Sequence, residues 1–165
     1  MSHFGIDFGT TNSCVVEIHG PAQLQYGDEA GKPLPSILVI DRTTNSALCG
    51  RDVWNRRLSY RETGGYRVVP PLKRLLETPD WRAGTWTVPT LVAEVLKHLS
   101  RATTVGGRQG VQQATFSVPV GMLPQARRTL REAARIADIH VNGFISESTA
   151  ALMRYWARVR DHRYV

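Results

Sequence analysis

Apolar and polar positions alternate in two short blocks at the start of the chain, residues 3–8 and 13–18, and the break between them is Gly9-Thr10-Thr11-Asn12. Alternation bounded by a glycine-containing turn predicts a pair of strands. Residues 23–26 read as a third short strand and 28–35 as a Gly/Pro-rich loop. Residues 36–40 are apolar and β-branched, which predicts a strand, and 47–49 return briefly to strand after the polar turn 41–46. Residues 51–60 place Val53, Trp54 and Leu58 at helical spacing. Residues 61–71, with Gly64-Gly65 and Pro70-Pro71, read as irregular, 72–76 fit a short helical turn, and 81–86 a hairpin or loop. From residue 88 the period changes. Leu91, Val92, Val95, Leu96 and Leu99 form one face of a helix over 88–99, with Thr87 as its cap, Pro89 in its first turn and Gly106-Gly107 at or just beyond its end. A strand over 114–118 follows, then a helix from Pro124 to about Ala137 with Leu130, Ala133, Ala134 and Ala137 inward. A strand over 139–145 is interrupted by Asn142-Gly143. Ser146 can cap a last helix from Glu147 to about Arg160. Helix, strand, helix, strand, helix predicts an α/β sheet with right-handed crossovers, and the strand-rich front half predicts an antiparallel meander joined to it.

The 165 residues suffice for one domain with a real core, or for two small subdomains. Hydrophobic content of 42% and charged content of 21% are those of a globular protein. No stretch approaches the roughly 18 apolar residues of a membrane span. The opening Met1-Ser2-His3-Phe4 lacks the basic and apolar regions of a secretory signal, and Cys14 and Cys49 form neither a metal spacing nor a redox pair. A cytoplasmic location with free thiols is the expectation. The net charge of +7 is lopsided: residues 1–99 hold eleven Lys/Arg against ten Asp/Glu, residues 100–165 ten against four. The arginines follow two helical patterns without interleaved aromatics, so solvated helix faces are expected in preference to a nucleic-acid surface.

Asp7 ends the first apolar run directly before the turn, and the turn's glycine and successive amides suit an anion. A carboxylate beside it suits Mg²⁺; the alternative is a plain hairpin capped by Asp7. No Walker loop and no G-x-G-x-x-G occurs, although residues 27–32 come near the former. Lysine occupies only three of the 21 basic positions, and Lys73 sits among the apolar residues of Pro71-Leu72-Lys73-Arg74-Leu75-Leu76. A compact ammonium there suits a terminal phosphate, or it snorkels at the surface. Glu147 opens the last helix, where it either favours the helix dipole as a cap or holds a metal-bound water. Pro119 and Arg127 carry no chemical signal by spacing, and the five histidines never fall at metal-ligand spacing.

Together these segments resemble the 70-kDa heat-shock chaperones of the actin-like ATPase superfamily. Gly5-Ile6-Asp7-Phe8-Gly9-Thr10-Thr11-Asn12-Ser13-Cys14-Val15 is similar to that family's first phosphate signature. Pro35-Ser36-Ile37, Leu72-Lys73-Arg74-Leu75-Leu76, Ala114-Thr115-Phe116-Ser117-Val118-Pro119, Ala126-Arg127 with Ala133-Ala134-Arg135-Ile136-Ala137, and Glu147-Ser148-Thr149-Ala150-Ala151 resemble its later segments in order, from residue 4 to about 155. The resemblance implies an actin-like, ribonuclease H-like lobe with a mixed five-stranded-type sheet and flanking helices. Residues of about 1–35 and 112–165 would form the sheet subdomain, with a smaller α/β subdomain, about 36–111, inserted and carrying Lys73. It implies ATP or ADP with Mg²⁺ as cofactors. Asp7 would hold the metal shell, Gly9, Thr10, Thr11 and Asn12 would wrap the phosphates, and Lys73 would position the attacking water. Glu147 would act on the metal shell through waters or assist hydrolysis, and Pro119 and Arg127 would signal nucleotide state.

Ser146 and Ser148 stand where the family has Asn and Pro, Gly121-Met122 where it has an aromatic pair, and Pro124 where an acidic residue is common. The family's second phosphate motif, Asp-Leu-Gly-Gly-Gly-Thr, is not among the 165 residues, so the resemblance covers lobe I only, with Arg163-Tyr164-Val165 reading as the start of the next strand. For the whole protein it implies client peptides, J-domain co-chaperones and nucleotide exchange factors as partners; no membrane partner is expected, and nucleic-acid binding stands last among the alternatives. The rival expectations are a non-enzymatic interaction module and another actin-like ATPase.

Overall fold

Five strands lie side by side in one sheet, and a sixth strand of two residues adds to it. A computed structural model describes residues 3–19, 22–28, 31–104 and 109–161. The expectations for Met1-Ser2, for Gly106-Gly107 and for Arg163-Tyr164-Val165 fall outside the described residues. β1 is His3–Phe8, β2 Asn12–His19, β3 Ala22–Tyr26, β4 Leu34–Pro35, β10 Gln113–Val118 and β11 His140–Ser146. β1, β2 and β3 form the antiparallel meander, while β10 joins β1 in parallel and β11 joins β10 in parallel. The sheet is therefore mixed, with its parallel half built by the later strand-helix units.

The expected break at Asn142-Gly143 is a bulge. Val141 faces Ala114 and Gly143 faces Thr115, which leaves Asn142 without an opposing residue.

A second sheet, β6-β5-β7, uses β5 (Leu38–Asp41), β6 (Ala47–Cys49) and β7 (Tyr66–Val68), and β8 (Arg82–Ala83) pairs β9 (Trp86–Thr87). β7 lies in the stretch that reads as irregular. Its three residues stand between Gly64-Gly65 and Pro70-Pro71 and carry no usable periodicity, and they become a strand by pairing with β5. The polar stretch after β6 gives two short helices, α1 (Arg51–Asn55) and α2 (Arg57–Glu62); α3 is Leu72–Leu75.

Three longer helices cover the large sheet: α4 (Val88–Ala102), α5 (Pro124–Ile136) and α6 (Glu147–Asp161). α4 starts on a capping box in which Thr87 and Thr90 exchange side-chain and backbone bonds, with Pro89 in the first turn where a missing N–H costs nothing. Its Leu91, Val92, Val95, Leu96 and Leu99 are fully buried. Ala126, Ala133 and Ala134 of α5 are buried as well, and their small side chains let α5 lie close along α4. Under both helices Ile6, Phe8, Val15, Ala114, Phe116 and Val118 form one buried sheet face, continuous with Leu38 and Ile40 of the smaller sheet.

α6 leaves the carboxyl end of β11 and reaches the opposite sheet edge, where Arg154 donates to Gln23 of β3. With α4 and α5 filling one face, α6 crosses the other. It covers that face thinly: Leu152, Met153, Tyr155 and Trp156 are 58–65% exposed. Among the described residues no helix is long and apolar enough to cross a membrane.

Cys49 of β6 packs against α4, its thiol 3.9 Å from the Glu94 carbonyl oxygen. Burial and then the Glu94 carboxylate push its pKa up to about 12, against a weaker opposing pull from Arg101. Only the thiolate attacks alkylating agents. Cys49 is therefore expected to resist iodoacetamide at pH 8 in the folded chain and to react fully in denaturant, as mass spectrometry of peptide adducts would show. Rapid native labelling would contradict this.

Candidate functional site

The three parallel strands end together. Asp7 lies opposite Ser117 and Ser117 opposite Ile145, so the carboxyl ends of β1, β10 and β11 form one edge. Strand spacing puts the backbones of Asp7 and Ile145 about 10 Å apart along it. In open α/β sheets this is the edge that takes ligands. The Gly9–Asn12 turn, Pro119 and Glu147 all follow directly from these strand ends.

The turn is folded tightly on itself. A Cβ on Gly9 would fall 2.1 Å from the Asn12 carbonyl oxygen, so only glycine fits. The Gly9 amide donates to Ser13 Oγ at 3.2 Å, and Ser13 Oγ shares a 2.8 Å bond with Ser36 Oγ. The Ser36 amide donates to the Thr11 carbonyl oxygen at 2.8 Å, and β4 pairs Pro35 with Asn12 and Leu34 with Ser13. The turn is thus clamped from behind, while Thr10, Thr11 and Asn12 face solvent and their side chains bond to nothing among the described residues. Asp7 is exposed beside it, and its Oδ1 accepts from the Ser117 hydroxyl at 2.9 Å. That bond orients the carboxylate and leaves Oδ2 open.

Lys73 and Glu147 meet although 74 positions separate them: Nζ lies 2.5 Å from Oε1. Leu72, Leu75 and Leu76 are buried and fix α3, and Gln125 at the start of α5 donates to the Glu77 carbonyl oxygen just after it. The lysine side chain is 15% exposed and the glutamate's 42%, so the ammonium is mostly enclosed and the carboxylate half open. Glu147 does stand in the first turn of α6, where the helix dipole favours a carboxylate, and the ion pair is an additional contact for both side chains. Ser146 makes the cap, its Oγ accepting from the Thr149 amide at 3.0 Å, and Glu147 is turned to Lys73 instead.

Pro119 closes β10, and its carbonyl oxygen accepts from the Met122 amide at 3.1 Å. Arg127 stands on the first turn of α5, and its Nε is buried with no hydrogen-bond partner. Among the described residues no hydrogen bond or ion pair joins Arg127 or Pro119 to the Lys73–Glu147 pair or to Asp7.

Sequence reasoning gave no role to Ser13, Ser36 or Ser117. The available signal was their chemistry: Ser13 on β2 and Ser36 in the link between β4 and β5 are polar residues among apolar neighbours, 1% and 4% exposed in the structure, and a buried hydroxyl needs a partner. Among the described residues no group of three or more His, Cys, Asp or Glu side chains gathers as a metal cage. No protein-family model matches the chain.

Proposed function

We propose that this chain is the first lobe of an ATPase domain of the 70-kDa heat-shock type and that its strand-end edge binds the phosphates of Mg-ATP. The observation that carries the reading is the convergence on one sheet edge of a glycine-only turn, an oriented carboxylate and a lysine–glutamate pair from a distant segment. The residues fit the group. Successive amides of a clamped turn, with open Thr10 and Thr11 hydroxyls, offer donors to phosphate oxygens. Asp7 and the half-open Glu147 offer the one or two carboxylates that hydrated Mg²⁺ takes. A bound Mg-ATP would supply the reactive phosphoanhydride and the cation that neutralises its charge. Lys73 would place a donor where negative charge grows, and Glu147 would hold that ammonium in position.

In the whole protein the activity would be ATP hydrolysis coupled to client-peptide binding, with J-domain co-chaperones and exchange factors as partners and the cytoplasm as its site. Because the second phosphate motif is not among these residues, the 165-residue chain is expected to turn ATP over hardly at all. Calorimetric titration with Mg-ATP tests the reading beside a chain carrying both phosphate motifs. The longer chain should bind at least roughly a hundredfold tighter, and no binding by either would end the proposal. The exposed apolar side chains of α6 favour one second reading, a non-enzymatic interaction module. That reading predicts no nucleotide response in either chain.

A further inference from the structure

A groove of about 500 Å³ runs between the carboxyl half of α5 and the start of β11, away from the strand-end edge. Its floor is apolar: Ile139 and Val141 are 2% and 5% exposed. Its wall is arginine. Arg128, Arg131 and Arg135 follow one another at helical spacing on α5 and all line the groove, with His140 entering from β11.

The three arginines are not equivalent. Arg135 is taken up by Glu132, its Nε and Nη2 holding the carboxylate at 2.9 and 2.7 Å. Arg131 lies over the Phe144 ring, with 5.3 Å from its guanidinium carbon to the ring centroid. Such stacking orients the planar fork and leaves its N–H edge open. Arg128 has no partner among the described residues. Two guanidiniums one helical turn apart therefore present unspent donors over one groove. Of the two acids that line it, Glu132 is neutralised by Arg135 and Asp138 alone opposes them. One positive charge is left in surplus before any proton on His140 is counted.

We propose that this groove is a second anion site, independent of the nucleotide reading, and that it takes the phosphate group of a small phosphorylated molecule. Phosphate is favoured over carboxylate because three groups converge on the site, Arg128, Arg131 and His140. A terminal phosphate carries up to two negative charges and presents three oxygens tetrahedrally, so donors arriving from two different elements can each meet one, whereas a carboxylate confines its acceptor sites to one plane. The apolar floor under the arginines suits a ligand whose phosphate is attached to a carbon body. The solvated nucleic-acid backbone offers the same charge, but the arginines stand over a bounded groove and not along a continuous track with stacking aromatics.

The test is titration of the ¹⁵N-labelled 165-residue chain with inorganic pyrophosphate in the presence of EDTA, followed by amide shifts. Saturable shifts are expected over residues 128–141. The exposed pair R128Q/R131Q should weaken the apparent affinity roughly a hundredfold, about tenfold for each charged hydrogen-bonding group lost. The charge-matched pair R42Q/R61Q, on exposed arginines outside the groove, should change it less than about twofold. Shifts confined to residues 7–13, or equal losses in the two double variants, would overturn the proposal. Citrate binding as tightly as pyrophosphate would overturn the phosphate assignment. Tighter binding of a twelve-residue oligothymidylate with a steep salt dependence would replace it with a nucleic-acid face.

Discussion

Gly9→Ala is expected to reduce Mg-ATP affinity by at least roughly a hundredfold in a chain carrying both phosphate motifs. The added Cβ would fall 2.1 Å from the Asn12 carbonyl oxygen, and that oxygen belongs to backbone held by Pro35 and cannot swing aside as a side-chain tip would. The turn must open, and the amides that converge on a phosphate diverge. The stability cost should be modest, about 1–3 kcal/mol, the usual range for forcing a strained backbone position. Gly84→Ala supplies the control, because its φ of 63° in the β8–β9 turn strains any side chain, and β8 and β9 pair only with each other and not with the large sheet. Both variants should melt at similarly lowered temperatures, and only Gly9→Ala should lose nucleotide. Equal affinities in the two variants would mean that the Gly9 turn is a hairpin and nothing more.

The parts of this site that were legible from sequence are the local ones. The turn announces itself through contiguous residues, an aspartate, a glycine and three polar side chains between two alternating runs. The caps at Thr87 and Ser146 were readable for the same reason. β7 was not readable, since three residues between a Gly-Gly and a Pro-Pro acquire strand structure only from β5. The Asp7–Ser117 bond spans 110 positions and exists because β1 and β10 run parallel in one particular register. The Lys73–Glu147 pair is also a product of tertiary packing across 74 positions, and neither residue's local pattern pointed to the other. The Nε of Arg127 is buried without a partner, and no local pattern marked it.

The Lys73–Glu147 pair separates function from stability most sharply. Lys73→Ala is expected to lower ATP turnover by about 10²–10³-fold in a chain with both phosphate motifs, the loss typical of removing one preorganised electrostatic group. Its effect on stability should stay within about 1 kcal/mol, because the glutamate left behind is half open to water and is not stranded in an apolar interior. Glu147→Gln keeps the shape but removes the charge that anchors the ammonium. It should lose less turnover than Lys73→Ala if its role is to hold the lysine, and the double variant should be no slower than Lys73→Ala alone. Losses that instead multiply would assign Glu147 a separate task, such as a water of the metal shell. A Lys73→Ala protein that unfolds readily yet, when folded, hydrolyses ATP at the parent rate would make the pair a structural clamp between α3 and α6 and remove it from the chemistry.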